Sequence, residues 1–212
     1  MKKIILGASL LVSVMSFAQI DIRFSETRFG VLAGGNYSGV RNAHNPSGKR
    51  IGLQAGAMAL IPADHDDMLY LQTEVKYHQA GETGYNKAEG GNKEAKYYND
   101  YISVPIYVKG YFSEAESEFF ALGGPYFNFL LNQKVEKPSR DYYAIDKYGK
   151  ANSFNWGIGL GLGFSYRRQL ELTLKYDLGL SDTYPDLKNM PKEVTKKKSE
   201  QAISIGVSYI FK

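Results

Sequence analysis

The sequence predicts an all-β fold, a closed antiparallel transmembrane β-barrel of about eight strands. Three observations support this fold class. Large apolar residues alternate with small or polar ones along several segments, long and short connections alternate between these segments, and no apolar stretch after residue 18 is long enough for a membrane helix. Only helices and closed barrels satisfy every backbone hydrogen bond inside a bilayer. A membrane-spanning chain of this composition must therefore cross as a barrel.

The first 18 residues have the features of a secretory signal peptide. Lys2 and Lys3 precede an apolar run over residues 4–14, and Ser16-Phe17-Ala18 forms a small-x-small cleavage site. The apolar run is too short to span a bilayer as a helix. We therefore expect cleavage after Ala18, export, and a single barrel domain over residues 19–212.

The amino-acid composition excludes several other classes of protein. The chain has no cysteine, which excludes a lipid-modified N-terminal cysteine and a disulfide framework. Its formal net charge of +4 is small and includes Lys2 and Lys3, so we expect no nucleic-acid partner. The 22 glycines and 17 tyrosines suit a barrel, in which aromatic rings form interfacial girdles and glycines occupy crowded or bent positions.

The clearest alternation spans residues 154–167. Bulky residues such as Trp156 and Leu162 occupy the even positions, and glycine occupies four successive odd positions from Gly157 to Gly163. A period of two predicts a strand, and glycine at every second position disfavours a helix. The same period recurs in other segments. These are residues 69–79, 102–112, 170–181 and 203–211, with weaker examples at 29–37, 51–61 and 119–132.

The connections alternate in length. Long polar links are expected at residues 38–50, 80–96, 133–153 and 182–200, and short ones at 62–67, at 113–117 and around Arg168. A barrel in the outer membrane of a Gram-negative bacterium has short periplasmic turns and long extracellular loops. The pattern therefore predicts an integral outer-membrane protein with both termini in the periplasm.

The orientation of the two faces distinguishes a membrane barrel from a soluble one. A soluble barrel of the lipocalin kind would turn the apolar face inward and leave a glycine stripe in water, where glycine only weakens a strand. With the apolar face toward lipid, the glycines leave interior space for ionic side chains that pair across the lumen. The charge network expected in the lumen consists of Glu74, Lys76, Lys109, Arg167, Glu171, Lys175 and Asp177.

The last strand ends in Tyr209-Ile210-Phe211-Lys212. A terminal strand with outward apolar residues and a near-terminal phenylalanine resembles the signal that outer-membrane assembly machinery recognises. We expect Tyr209 and Phe211 to carry this assembly signal. The alternative is an ordinary final strand.

Several segments resemble the PorT-like family of small outer-membrane barrels, common in Bacteroidota. The resemblance rests on Tyr-Ile-Ser-Val-Pro-Ile-Tyr-Val-Lys-Gly-Tyr-Phe at residues 101–112, on Ala-Leu-Gly-Gly-Pro-Tyr-Phe-Asn-Phe-Leu-Leu at 121–131, and on the strands at 156–166, 172–180 and the C-terminus. It implies an integral barrel that acts as an accessory in envelope assembly or in type IX-like protein secretion. It implies no catalytic residues. Pro105 in the first motif lacks a ladder donor, so we expect a bulge there.

No catalytic, cofactor-binding or metal-binding site is expected. Asp64-His65-Asp66-Asp67 resembles a metal ligand set, but acidic residues in a short link more often form a solvated turn. His78 and Ser103 are the one candidate pair of a general base and a nucleophile. A lipid-modifying enzyme of the outer membrane is therefore one alternative function. A ligand-binding or small-solute-passing barrel is the other alternative.

The long loops offer possible contact surfaces. The basic run at residues 195–198 could touch lipopolysaccharide phosphates or be simply solvated. Tyr142, Tyr143 and Tyr148 could form a recognition surface or pack a loop onto the rim. The expected partners are therefore outer-membrane lipid and lipopolysaccharide, the barrel-assembly machinery, and a larger envelope or secretion complex.

Overall fold

The computed structural model describes residues 21–43, 47–86, 93–136, 150–186 and 197–211. A short 3-10 helix, Phe24–Glu26, precedes eight strands. The strands are β1 (Arg28–Val40), β2 (Ser47–Pro62), β3 (Leu69–Asn86), β4 (Lys93–Tyr111), β5 (Glu118–Glu136), β6 (Phe154–Tyr166), β7 (Leu170–Gly179) and β8 (Glu200–Ile210). No helix in the described ranges is long and apolar enough to cross a membrane.

The strands form one closed antiparallel barrel. Each strand pairs with the next along the chain, and β1 pairs with β8, for example through Gly34 opposite Gly206. The closure leaves no open sheet edge within the barrel wall, which a bilayer requires. The predicted fold class is confirmed.

The two ends of the barrel differ. The β2–β3, β4–β5 and β6–β7 connections are short and lie at one end, which we call the short-turn end. The β1–β2, β3–β4, β5–β6 and β7–β8 connections lie at the other, which we call the long-loop end. The first described residues lie at the short-turn end, where the Asp21 amide donates to the Ala63 carbonyl over 3.1 Å. Strand β8 also ends there.

Strands β3, β4 and β5 are longer than the sequence pattern predicted. Much of the link expected over residues 80–96 is strand, because Glu82 pairs with Tyr97 and Thr83 with Lys96. Strand β5 likewise continues to Glu136 opposite Lys96. The prediction failed here because apolar alternation reports contact with lipid. A strand that continues beyond its apolar segment keeps its backbone pairing without that alternation.

The prediction of a β-bulge at Pro105 is wrong. The register is continuous across it, since Thr73 pairs with Ile106 and Lys76 with Ser103, and Pro105 itself pairs with Tyr126. The Thr73 hydroxyl also donates to the Pro105 carbonyl over 3.3 Å. The register of β4 with β5 shifts instead between Asp100 and Tyr101.

The outer wall carries an apolar belt. Leu160 and Leu162 of β6 are about as exposed as Ile205 of β8, at 61%, 63% and 56%. The same side of the wall includes the single tryptophan, Trp156. Polar and ionic residues occupy the opposite, inward face and are buried. This is the reverse of a soluble barrel, in which the apolar face would be the buried one.

The glycine stripe of β6 faces inward, and the space beside it holds both ionic and aromatic side chains. A Cβ on Gly159 would lie 2.6 Å from Asp177 Oδ1, and a Cβ on Gly161 would lie 2.8 Å from Lys175 Cγ. These two glycines leave room for charged side chains, as the sequence predicted.

The other two glycines of the stripe lie against aromatic rings of the neighbouring strand β5. A Cβ on Gly157 would lie 2.6 Å from the Tyr126 ring, and a Cβ on Gly163 would lie 2.3 Å from Phe120 Cζ. The sequence did not predict these aromatic contacts.

Candidate functional site

The half of the interior nearest the short-turn end is filled by a buried ion pair and packed side chains. Lys109 Nζ lies 2.5 and 2.6 Å from the two carboxylate oxygens of Glu171, and the Tyr111 hydroxyl donates to Glu171 over 2.7 Å. The Lys109 ammonium also lies 4.1 Å from the centre of the Phe120 ring. Apolar side chains fill the space around this pair. They are Leu32, Met58, Leu60, Tyr70, Tyr107, Tyr111, Phe120, Leu122 and Ile210.

A second ionic layer crosses the middle of the barrel. Lys76 Nζ lies 3.1 Å from Glu74 Oε2, and Lys175 Nζ lies 3.1 Å from both Glu74 oxygens. Gln72 donates to Glu74 over 2.8 Å, and Asp177 is buried in the same layer. One carboxylate therefore holds two ammonium groups from opposite walls. A buried charge without such partners would be strongly destabilising.

Six of the seven residues expected in the lumen network face inward and are buried: Glu74, Lys76, Lys109, Glu171, Lys175 and Asp177. Arg167 does not belong to the network, since it is exposed in the β6–β7 turn. Strand β6 ends at Tyr166, and Arg167 and Arg168 follow with positive φ angles of 54° and 49°. This turn geometry redirects the side chains, so that strand alternation no longer determines which way they point.

Arg168, which the sequence did not single out as a site residue, closes the short-turn end. Its guanidinium donates to the carbonyls of Asp67 and Ser113 and to Glu118 Oε1, the last over 2.5 Å. Asp67 lies in the β2–β3 turn, four strands from the β6–β7 turn in either direction, so Arg168 spans the mouth. Burial alone would lower the pKa of Arg168, but the hydrogen bond and charge of Glu118 raise it above its usual value.

The acidic link before β3 forms a capped turn. The Asp64 carboxylate accepts hydrogen bonds from the amides of Met68 and Leu69, the latter over 2.9 Å. Asp67 pairs with Arg23 at 2.9 Å and with Arg28 at 3.1 Å. Within the described residues, no three His, Asp or Glu side chains form a group that could hold a metal ion. These contacts show that the acidic side chains of the link stabilise a turn.

The long-loop end is covered by described parts of the connections. Tyr184 from the β7–β8 connection is fully buried, and its hydroxyl accepts a hydrogen bond from Asn99 over 2.9 Å. Its ring lies 5.5 Å from that of Tyr97. The Thr183 amide donates to the Lys198 carbonyl over 2.6 Å, which fastens the two arms of this connection. Tyr184 thus plugs this mouth together with Val40, Ala43, Tyr97 and Ala151.

The proposed base and nucleophile do not form a pair with each other. Ser103 lies directly across from Lys76 in the ladder, whereas His78 lies across from Tyr101. His78 Nδ1 is 3.5 Å from Asn36 Nδ2, and His78 Nε2 is 4.0 Å from Glu200 Oε1. The polar contacts of His78 are therefore directed toward β1 and β8, away from the hydroxyl on β4.

Only some of the other expected surface features lie within the described residues. Tyr209 and Phe211 lie on the outer face near the short-turn end, with ring centres 5.7 Å apart. Of the basic run, Lys197 is exposed and Lys198 pairs with Asp182 at 3.7 Å. The rest of the expected features lie outside the described residues, namely Thr195, Lys196, Tyr142, Tyr143, Tyr148 and residues 1–18.

The closed eight-stranded wall, its outward apolar belt and its ionic interior define the class of outer-membrane β-barrel proteins. The family model described as "Outer membrane protein beta-barrel domain" matches residues 17–185, and the chain belongs to this family. The finer resemblance to PorT-like barrels is not confirmed. No curated protein matches the sequence.

Solved structures with the same kind of architecture are similar to this chain at low identity. Neisserial surface protein A is 17% identical, with a TM-score of 0.41, over 87% of this chain and 97% of that one. OprG from Pseudomonas aeruginosa is 12% identical, with a TM-score of 0.44, over 87% and 94%. The N-terminal β-barrel domain of Pseudomonas aeruginosa OprF is 11% identical, with a TM-score of 0.40, over 90% and 100%.

Proposed function

We propose that this protein is a non-enzymatic integral barrel of the outer membrane. It acts either as a structural element or as an accessory subunit of envelope assembly or of type IX-like protein secretion. The observation that carries the proposal is the filled interior. Aromatic packing and two ionic layers occupy the lumen, Arg168 spans one mouth and Tyr184 plugs the other. A barrel filled in this way suits a rigid membrane scaffold better than an open pore.

The proposed topology places the short-turn end and both termini in the periplasm, after removal of residues 1–18 as a signal peptide. The charge distribution supports this orientation. Among the described residues of the long-loop end, six cations are exposed against the two exposed carboxylates Glu136 and Asp186. Those cations are Arg41, Lys49, Lys96, Lys134, Lys150 and Lys197.

The basic long-loop end suits the phosphate groups of lipopolysaccharide. Lys49 lies beside the outer belt, with its ammonium 5.2 Å from the centre of the Tyr37 ring. An amphipathic pair of this kind fits the boundary between apolar chains and anionic headgroups. The short-turn end is the opposite, with Glu26, Asp66, Glu114 and Glu116 exposed and Arg167 as the exposed cation of the described residues there.

The absence of an enzymatic role is supported by the arrangement of His78. A serine hydrolase needs a base within hydrogen-bond reach of its nucleophile, and His78 instead contacts Asn36 and Glu200. We further propose that Tyr209 and Phe211 direct the chain to the barrel-assembly machinery. Their outward exposure at the end of the last strand supports this assignment.

The accessory role is tested by cross-linking in intact cells. An affinity-tagged protein is cross-linked, extracted from the outer-membrane fraction in mild detergent and purified, and the partners are identified by mass spectrometry. We expect a defined larger envelope protein that is lost when Asp66, Glu114 and Glu116 are changed together to the corresponding amides. Changing Lys96 and Lys134 to Gln serves as the control at the other end. A solitary barrel in every sample contradicts the accessory role.

A further inference from the structure

The outer surface of the barrel differs between its two sides. Strands β6, β7 and β8 place no charged side chain on the outer face, since all their charged residues are buried in the lumen. Those residues are Glu171, Lys175, Asp177 and Glu200. Toward the long-loop end, the outward charges among the described strand side chains lie on β2, β4 and β5. We call the outer surface of β2–β5 the basic wall and that of β6–β8 the neutral wall.

Three cations of the basic wall surround Tyr98 of β4. The Arg50 guanidinium of β2 lies 4.2 Å from the centre of the Tyr98 ring. Lys134 of β5 lies directly across the ladder from Tyr98, and Lys96 lies two positions along β4 on the same face. Lys96 and Lys134 are exposed, and Arg50 is half-buried. We call these three cations and the ring between them the Tyr98 patch.

Two carboxylates of the basic wall offset part of its positive charge. Glu136 accepts a hydrogen bond from the Tyr98 hydroxyl over 3.0 Å, and Lys134 Nζ lies 3.1 Å from its other oxygen. Asp100 is half-buried farther along β4. The exposed Lys49 of β2 adds a fourth cation. Four cations and two carboxylates leave this part of the wall with an excess of two positive charges.

The Tyr98 patch lies just beyond the apolar belt. Lys134 is three positions beyond Leu131, which is the last large apolar residue exposed on β5. At 3.3 Å per residue and a tilt of 40°, this is about 8 Å along the barrel axis. On β2, Arg50 directly precedes Ile51, which is 78% exposed. The polar headgroup layer on each side of a bilayer is about 5–8 Å thick. The patch is therefore at headgroup depth, with apolar side chains directly beneath it.

We propose that the basic wall is a docking surface for lipopolysaccharide, with lipid A phosphates at the Tyr98 patch and acyl chains against the belt beneath it. The proposal deepens the scaffold role and rests on the topology proposed with it, in which the long-loop end faces the outside of the cell. Phosphate oxygens accept charge-assisted hydrogen bonds from guanidinium and ammonium groups. Clusters of Lys and Arg beside a bilayer recognise anionic headgroups in this way. The neutral wall has no such groups on its strands, so we expect no preference for lipopolysaccharide there.

The ion pair between Lys134 and Glu136 is compatible with this role. Both side chains are exposed, at 66% and 49%, and exposed ion pairs contribute little to stability. The Lys134 ammonium can therefore exchange the carboxylate for a phosphate at small cost. Arg50 contributes a planar guanidinium, which suits phosphate geometry better than an ammonium does.

Displacement of brominated lipid measures the preference of one wall at a time. Tyr77 of β3 lies on the basic wall and Tyr176 of β7 on the neutral wall, and they are similarly exposed, at 37% and 42%. Each is changed to Trp together with Trp156→Phe, which gives two barrels with a single tryptophan. Each barrel is reconstituted in vesicles of brominated phosphatidylcholine, which quenches tryptophan, with increasing fractions of lipopolysaccharide. Lipopolysaccharide that replaces brominated lipid beside the indole restores the fluorescence.

We expect half-maximal recovery for the Tyr77→Trp barrel at about a tenfold lower fraction of lipopolysaccharide than for the Tyr176→Trp barrel. Lys96→Gln with Lys134→Gln should remove this difference. Dephosphorylated lipopolysaccharide should show no preference for the basic wall. Phosphatidylglycerol should show a weaker one, because its headgroup has one negative charge. Heat-modifiable migration in gels verifies folding of each variant.

The matched control removes two exposed cations from the opposite side of the same end. Arg41 follows β1, and its amide donates to the Ser199 carbonyl just before β8. Lys197 precedes β8, and its carbonyl accepts a hydrogen bond from Asn42. The boundary between β8 and β1 is opposite that between β4 and β5 in the ring. Arg41→Gln with Lys197→Gln should therefore keep the preference of the basic wall.

Three results overturn the proposal. One is equal recovery on both walls with intact lipopolysaccharide. Another is a preference that survives Lys96→Gln with Lys134→Gln, or that the matched control removes equally. The last is an equal preference for phosphatidylglycerol or for dephosphorylated lipopolysaccharide, which would reduce the wall to a nonspecific surface. The purified barrel is used alone, so these outcomes are independent of whether cross-linking in cells finds an envelope partner.

Discussion

Lys175 of β7 and Glu74 of β3 lie on opposite walls of the barrel, and the Lys175 ammonium is 3.1 Å from each oxygen of the Glu74 carboxylate. Strands β3 and β7 are four positions apart in either direction around the eight-stranded ring. The contact therefore connects the two walls through the centre of the lumen. Lys76, 3.1 Å from the same carboxylate, completes the ionic layer.

Glu74→Ala should be among the most destabilising single changes in the barrel. It leaves two buried ammonium groups without their shared carboxylate, and the loss of one member of a buried ionic group costs about 3–5 kcal/mol. The free energy of unfolding is measured by urea titration in lipid vesicles. Glu116→Ala, in an exposed turn, is the control. Equal stability of the two variants would show that the layer contributes nothing.

Arg168→Gln should destabilise the barrel by about 2 kcal/mol, because it removes charge-assisted hydrogen bonds that fasten the turns together. Arg167→Gln is the matched control, since the neighbouring side chain is exposed and has the same turn conformation. Both variants are compared by the same urea titration. The closure of this mouth by Arg168 is contradicted if the Arg167 variant loses as much stability as the Arg168 variant.

Gly163→Ala should destabilise the barrel by about 1–3 kcal/mol through overpacking. The added methyl group would lie 2.3 Å from Phe120 Cζ and 2.6 Å from the Leu172 carbonyl oxygen. Gly110→Ala is the control, because a Cβ there meets nothing within 4 Å. Combining Gly163→Ala with Phe120→Leu should recover part of the loss. A neutral Gly163→Ala would show that the ring does not occupy the glycine stripe.

Trp156 reports the orientation of the wall directly, because it is the single tryptophan of the chain and lies in the outward belt. In vesicles, lipids brominated on their acyl chains should strongly quench its fluorescence, and aqueous iodide should have little effect. The closest control is Trp156→Phe with Phe120→Trp, which moves the indole to the packed interior. Quenching of native Trp156 by iodide alone would place the belt in water.

The sequence already contained the strand period, the outward direction of the apolar face and the alternation of short and long connections. Trp156 and Leu162 illustrate why these features can be read from the sequence. Contact with lipid on one side of a strand requires an apolar residue at every second position. Six of the seven ionic residues placed on the inward face are indeed buried there. The periodic signal failed where strands leave the membrane, as in the pairing of Glu82 with Tyr97, because no lipid contact enforces it there.

Only the tertiary structure decided which side chains meet inside the barrel. Alternation assigns a residue to a face, but the register and stagger of all eight strands determine its height and its partner across the lumen. Glu74 could not be matched with Lys175 from the sequence, since 101 residues separate them. The same limit applies to Arg168, whose turn conformation brings its guanidinium across the mouth while Arg167 points to solvent. The aromatic contacts of Gly157 and Gly163 likewise depend on how β5 lies beside β6.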